Sequence, residues 1–307
     1  MRIAFFGTPT FAVPTLHALL TAGHDVALVV SQPDRPQRRS RSTLVPPPVK
    51  VAALEAGLSV IQPELPTGEA FLSELRGAHA DVGVVVAYGH ILRQTVLATP
   101  LLGMINVHAS ILPRWRGAAP IQSAILAGDP LTGVSIMQME AGLDSGPVFR
   151  CGETPIGPTE THGELEARLA MLGAETLIAV LAELGSGVAT TTRQDATRVT
   201  FAPKIDRTSA RIDWHQDADA VARRIRAFDP EPGAWATLDG GEFKVFGASV
   251  VDGYGAPGAI IGTRDGLTVA TGRGAVRLSV VQPAGRSRVE AAAWARGQRE
   301  LEGKVLA

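Results

Sequence analysis

Apolar and polar positions along this chain fall into two alternating periods. Residues 2–6 form a short apolar run closed by Gly7-Thr8-Pro9, the pattern of a buried strand ended by a turn. Residues 11–22 follow at helical spacing, with Pro14 in the first turn and Gly23 past the end, and predict a helix. Residues 26–30 predict the next strand. The β-branched, uncharged run 82–87 reads as a central strand of a parallel sheet, whose two faces are both covered. Shorter strands are expected at 59–61, 134–138 and 148–155, and short helices at 49–56, 70–76 and 119–127. From 161 to 184, Leu165, Leu169, Leu172, Leu177, Val180, Leu181 and Leu184 lie near helical spacing, so a long amphipathic helix should pack on the sheet.

The second part of the chain has a different rhythm. A polar, threonine-rich stretch carrying Pro203 reads as an interdomain linker over 189–208. A helix is predicted at 217–227. Five short strands follow, at 234–238, 243–251, 259–263, 267–270 and 276–281, punctuated by glycines; that count suggests a small barrel. The expected fold class is therefore α/β: a Rossmann-like doubly wound domain over 1–188 and a β-barrel domain over 209–307. The opening βαβ pattern has only Gly7 and lacks G-x-G-x-x-G, which disfavours a dinucleotide enzyme.

Composition narrows the class. Hydrophobic residues make up 45% of 307, enough for a packed core. Cys151 is the single cysteine, so no intrachain disulfide can form. No run approaches about 18 apolar residues and no signal peptide is read at the start, so a cytoplasmic, membrane-free protein is expected. Net charge is −1, which argues against general affinity for nucleic acid. The distribution is uneven: residues 190–307 hold 17 basic and 14 acidic residues, a net of +3, leaving −4 for the rest. Within the proline-rich loop 32–48, Arg38, Arg39 and Arg41 cluster. Such a cluster is commonly a solvated loop, and it is also what a phosphate-contacting finger requires.

The candidate chemistry lies in NVHASILPRWRGAAPIQ (106–122). Asn106 and His108 end an apolar run and, as strand residues two apart, face the same way. Ligands of open α/β sheets gather at such carboxyl ends. Gly142-Leu143-Asp144-Ser145-Gly146 follows another β-rich segment, and its glycines allow a tight loop that brings Asp144 toward His108. An amide, an imidazole and a carboxylate suit acyl-type chemistry in which the substrate brings the nucleophile. Tyr88-Gly89-His90-Ile91 closes the central strand, where backbone at Gly89 can approach a flat ligand; His90 reads as a surface or cap histidine. Arg114, Trp115 and Arg116 read as an anchored turn or as a pocket wall. No third ligand stands at a recognised spacing, so no metal is expected.

These motifs, with MRIAFFGTPTFAVPTL at the start, AYGHIL (87–92), MQMEAGLDSG, and IDW, RRIRAFDPEPGA and QPAG in the C-terminal part, resemble the methionyl-tRNA formyltransferase family, one branch of the 10-formyltetrahydrofolate-dependent formyltransferases. The resemblance spans most of the chain. It implies Asn106, His108 and Asp144 as catalytic residues. It implies Ser110, Ile111, Leu112 and Pro113, with Tyr88, Gly89 and Ile91, as the 10-formyltetrahydrofolate contact. It implies Phe6, Gly7 and Phe11 at a methionine pocket, and Arg38, Arg39 and Arg41 on the tRNA. It also implies an OB-like C-terminal domain that helps hold methionyl initiator tRNA, with the protein acting as a monomer. The basic loop reads Gln37-Arg38-Arg39-Ser40-Arg41-Ser42 where the family has Gly-Arg-Gly-Lys-Lys, keeping charge while changing individual contacts. Other readings remain at this point: formyl transfer to a nucleotide-sugar amine or to glycinamide ribonucleotide, a formyl-folate hydrolase, or an RNA-binding module without catalysis.

Overall fold

The computed structural model describes residues 1–37 and 40–307. Arg38, Arg39 and the side chain of Arg41, the expected phosphate contacts, lie outside what is described. In chain order the first strands are β1 (Arg2–Gly7), β2 (Asp25–Val30), β3 (Arg35–Gln37), β4 (Ser40–Val45), β5 (Val60–Ile61), β6 (Val82–Val86), β7 (Met104–His108), β8 (Arg116–Gly117), β9 (Leu131–Gln138) and β10 (Val148–Pro155). The helices among and after them are α1 (Val13–Thr21), α2 (Pro48–Glu55), α3 (Glu69–Gly77), α4 (Gln94–Leu97), α5 (Pro120–Ala127) and α6 (His162–Gly185).

Seven strands form one mixed sheet in the order β10-β9-β7-β6-β1-β2-β5. The chain starts in its middle and winds outward in both directions. β1, β2, β5, β6 and β7 pair in parallel, and β9 runs antiparallel to β7. β6 is buried at every position, as its uncharged composition requires. α6 packs on this sheet: a Cβ on Gly173 would meet Val107 Cγ1 at 2.8 Å, so only glycine allows the approach. Phe6, Phe71, Tyr88, Leu75 and Met104 share the core cluster. The loop expected at 32–48 contains an antiparallel pair, β3 with β4. Extended, proline-bearing backbone cannot satisfy its own polar groups as a helix does, and pairing satisfies them.

After β11 (Phe201–Ala202) come α7 (Ala218–Ala227), β12 (Ala234–Leu238), β13 (Gly241–Val251), β14 (Ile260–Gly262), β15 (Leu267–Ala270), β16 (Ala275–Pro283), β17 (Val289–Glu290) and α8 (Ala291–Arg296). Their sheet has the order β12-β13-β16-β15-β14, with β17 on β16, and each neighbouring pair runs antiparallel. Ile225, Phe228, Phe243, Val245, Leu278 and Val281 fill its core. The Asp217 carboxylate caps α7 by accepting from the Ala220 N–H at 2.8 Å.

Packing divides the chain into two compact units: 1–117, 132–154 and 166–201 form one, and 118–131, 155–165 and 202–307 the other. Residues 189–201, within the stretch read as a linker, pack with the first unit. Among the described residues no helix is long and apolar enough to cross a membrane.

Candidate active site

Everything in this site belongs to the first unit. β7 ends on His108, paired with Ser135 of β9, and Asn106 pairs with Met137. Strand alternation puts the Asn106 and His108 side chains on one face. His108 is 6% exposed, and its Nε2 lies 2.9 Å from the Trp115 carbonyl, so a proton on Nε2 donates to that oxygen. Nδ1 lies 3.6 Å from Asp144 Oδ2, close enough for strong Coulombic attraction once the ring carries charge, yet longer than a hydrogen bond.

Asp144 reaches this place through backbone conformation. Its φ is +46°, in the left-handed region, which Asp tolerates better than most residues. Gly146 two residues on cannot be replaced without a shift, because a Cβ there would sit 1.8 Å from the Gln138 carbonyl oxygen. Asp144 Oδ2 also accepts from the Gly117 N–H at 2.8 Å. The carboxylate therefore lies between one backbone donor and the imidazole.

The turn 110–116 is held from inside. The Ser110 hydroxyl donates to the Arg114 carbonyl at 2.6 Å. The Ser135 hydroxyl donates to the Ser110 carbonyl and accepts from the Leu112 N–H. The Leu112–Pro113 bond is cis, and the Arg114 guanidinium lies 4.3 Å over the Trp115 ring. Ser110 and Leu112 are buried, while Ile111 and Pro113 are part-exposed.

Two residues from the supposed linker hold the same turn. Thr200 accepts from the Trp115 N–H through its hydroxyl at 2.9 Å, and its carbonyl accepts from the Arg116 N–H. Gln194 accepts from Arg116 Nε and Nη2 and donates to the Asp144 and Gly146 carbonyls. Gln194, Thr200 and Ser135 were missed in the sequence. Gln194 and Thr200 lie in irregular segments that leave no periodic signal, and Ser135 is a single polar residue inside the strand β9.

The second candidate segment follows β6. The Tyr88 carbonyl accepts from Thr8 Oγ1 and Gln32 Nε2, which ties the ends of β1 and β2 to that of β6. Burial pushes the Tyr88 phenol up to about 12, so it stays protonated. Gly89 has φ +86° and leaves room for Gln32, while Ile91 is 89% exposed. Phe6 is fully buried, edge-on to Tyr88 at 5.4 Å; Phe11 is 7% exposed, and Gly7 ends β1. Phe6 thus supports Tyr88 from within the core. Among the described residues no group of three His, Cys, Asp or Glu is placed to hold a metal ion.

Comparison with known proteins adds to this geometry. Residues 1–181 match a family model described as formyl transferase, and 204–299 match one described as formyl transferase, C-terminal domain. The chain is 48% identical over 293 residues to the methionyl-tRNA formyltransferase of Methylococcus capsulatus, covering 95% of each. It is 50% identical over 305 residues to that of Stenotrophomonas maltophilia, covering 98% of this chain and 99% of the relative. Among solved structures it is similar to HypX from Aquifex aeolicus in complex with tetrahydrofolic acid, with a TM-score of 0.69 at 18% identity, covering 100% of this chain and 51% of HypX. It is also similar to WlaRD, a sugar 3N-formyl transferase, with a TM-score of 0.69 at 14% identity, covering 94% of this chain and 99% of that one. At those identities the two structures speak for the fold alone.

Proposed function

The chain belongs to the formyl transferase family, and we propose that it transfers the formyl group of 10-formyltetrahydrofolate to the α-amine of methionyl initiator tRNA. The observation that carries the chemistry is the approach of Asp144 to His108 beside Asn106 at the end of β7. Relatives about half identical over nearly the whole chain, all methionyl-tRNA formyltransferases, support the acceptor.

The folate suits the residues present. Segments 88–91 and 110–113 leave the adjacent strands β6 and β7 at their carboxyl ends, and Ile91 offers an exposed apolar side chain. These segments hold the cosubstrate, which supplies an activated one-carbon unit. The methionyl amine attacks the formyl carbon. An α-amine has a pKa near 8, so a usable neutral fraction exists at pH 7 without a strong base. Asn106 donates a hydrogen bond to the carbonyl oxygen as it gains negative charge, and His108 adds a second once its Nε2 turns from the Trp115 carbonyl to the substrate. The new C–N bond forms on the acceptor, the bond to the folate nitrogen breaks, and the amine's proton passes by way of His108 to the departing nitrogen. Asp144 orients the imidazole and supports its positive charge while it holds that proton.

Arg38, Arg39 and Arg41 contact tRNA phosphates, and the C-terminal antiparallel unit, read as an OB-like barrel, helps hold the tRNA. The formyl-transfer and C-terminal domains act together as a cytoplasmic monomer. The test is transfer of labelled formyl from 10-formyltetrahydrofolate with methionyl initiator tRNA, methionyl elongator tRNA and amino-sugar nucleotides as parallel acceptors. Label on the initiator tRNA alone supports the reading. Label on a sugar amine, or formate released without an acceptor, overturns it.

A further inference from the structure

We infer that Gln194 is a positioning residue for the reaction, acting through Asp144; the inference rests on the role proposed for that carboxylate. Gln194 lies in an irregular segment, outside every motif that marks the site, and its side chain is part-buried. Its amide is saturated in both directions. Oε1 accepts from Arg116 Nε at 3.0 Å and Nη2 at 2.7 Å. Nε2 donates to the carbonyls of Asp144 and Gly146, each at 2.8 Å.

These bonds close a ring. Arg116 is followed by Gly117, whose N–H donates to Asp144 Oδ2 at 2.8 Å. Gln194 therefore ties the Arg116 side of the ring to the Asp144 backbone, and Gly117 ties it to the Asp144 carboxylate. The clamp acts where it is needed, since Asp144 sits at φ +46° and has no helix or strand to hold it. At 3.6 Å, the carboxylate is not fixed to His108 by a hydrogen bond of its own. Its distance from the ring is set by the loop, and the loop by Gln194. The segment bearing Gln194 is itself anchored: Thr192 exchanges backbone hydrogen bonds with Val148, and Asp195 caps a short turn by accepting from the Thr197 N–H.

Only an amide can do this. A glutamate at 194 keeps the acceptors for Arg116 and sets a carboxylate against two carbonyl oxygens. A leucine fills similar space and removes all four bonds.

The experiment is steady-state formyl transfer to methionyl initiator tRNA by wild type, Gln194→Leu, Gln194→Glu, Asp144→Asn and the Asp144→Asn/Gln194→Leu double variant. Arg193→Ala, whose side chain is exposed, serves as the control. Loss of positioning at this scale predicts a fall in kcat of about 10- to 100-fold for both Gln194 variants, with KM for either substrate changed less than about threefold. The double variant should be no slower than Asp144→Asn, because the clamp has nothing left to position. A Gln194→Leu enzyme with full kcat beside a crippled Asp144→Asn overturns the inference and leaves the catalytic reading standing. So does a double variant whose losses multiply. An active Asp144→Asn enzyme removes the catalytic reading, and the inference with it. If Gln194→Leu fails to fold, Gln194→Glu carries the same comparison.

Discussion

His108 is buried and His162 part-buried, and their surroundings differ in kind. His108, in the first unit, has a carbonyl on one nitrogen and the Asp144 carboxylate 3.6 Å from the other. Among the described residues His162, at the start of α6 in the second unit, is met by the Gln122 amide at 2.8 Å, and its Nδ1 is sealed off without a partner. Burial pushes the His162 imidazole down to about 4, so near neutral pH it is an uncharged packing group. Burial by itself thus takes a histidine out of proton chemistry. Burial beside a carboxylate places an opposite charge within reach of the ring. The site is recognised by that pairing, not by the presence of a buried histidine.

The sharpest way to break the contrast is at the first of the two. On the proposed mechanism Asn106→Ala and His108→Ala should each lower kcat by at least about a hundredfold, since each would remove a donor to the developing charge. Circular dichroism would establish that the variants fold, and near-full turnover by a folded variant would end the assignment.

For His162 the effect should appear in stability. Its folded pKa lies below the unfolded value of about 6.5, so the unfolded chain binds the proton more readily. Its contribution is intact above pH 6.5 and is lost as pH falls toward 4, by at most roughly 3 kcal/mol. Urea unfolding across that range should show the decline, and His162→Gln should flatten it. Equal slopes in both proteins would mean the ring protonates without cost in the fold.

The basic loop tests charge at a third place in the chain. Replacing Arg38, Arg39 and Arg41 by serine should weaken use of tRNA and reduce the slope of log affinity against log salt by about 2 to 3, leaving folate binding unchanged. Matching losses for both substrates would point to damage in the fold instead. The smallest effect is expected at Thr200→Val, which strips the Trp115 N–H of its partner and should cost about 1 kcal/mol in thermal unfolding.

Much of the architecture is legible in residue spacing. The run 82–87 became β6 over 82–86, fully buried, with Ala87 just past its end, and the leucine stripe became α6. Helix 217–227 appeared as α7, with Asp217 as its cap. The strands of the second sheet stand where the glycine-punctuated runs predicted them, though β17 and α8 carried too short a pattern to be read. The hairpin of β3 and β4 was missed because proline-rich backbone announces extension and not its partner.

Periodicity is local, so the sequence alone was enough to set which residues face inward, which strands build the sheets, and that Asn106 and His108 share a face. Contacts between distant segments have no such signature. Only the tertiary structure decided that Asp144 comes within 3.6 Å of His108, and that a polar stretch resembling a linker turns back to clamp it through Gln194 and Thr200. Those contacts arise because each irregular loop must find partners for its backbone polar groups, and the nearest partners lie far away along the chain.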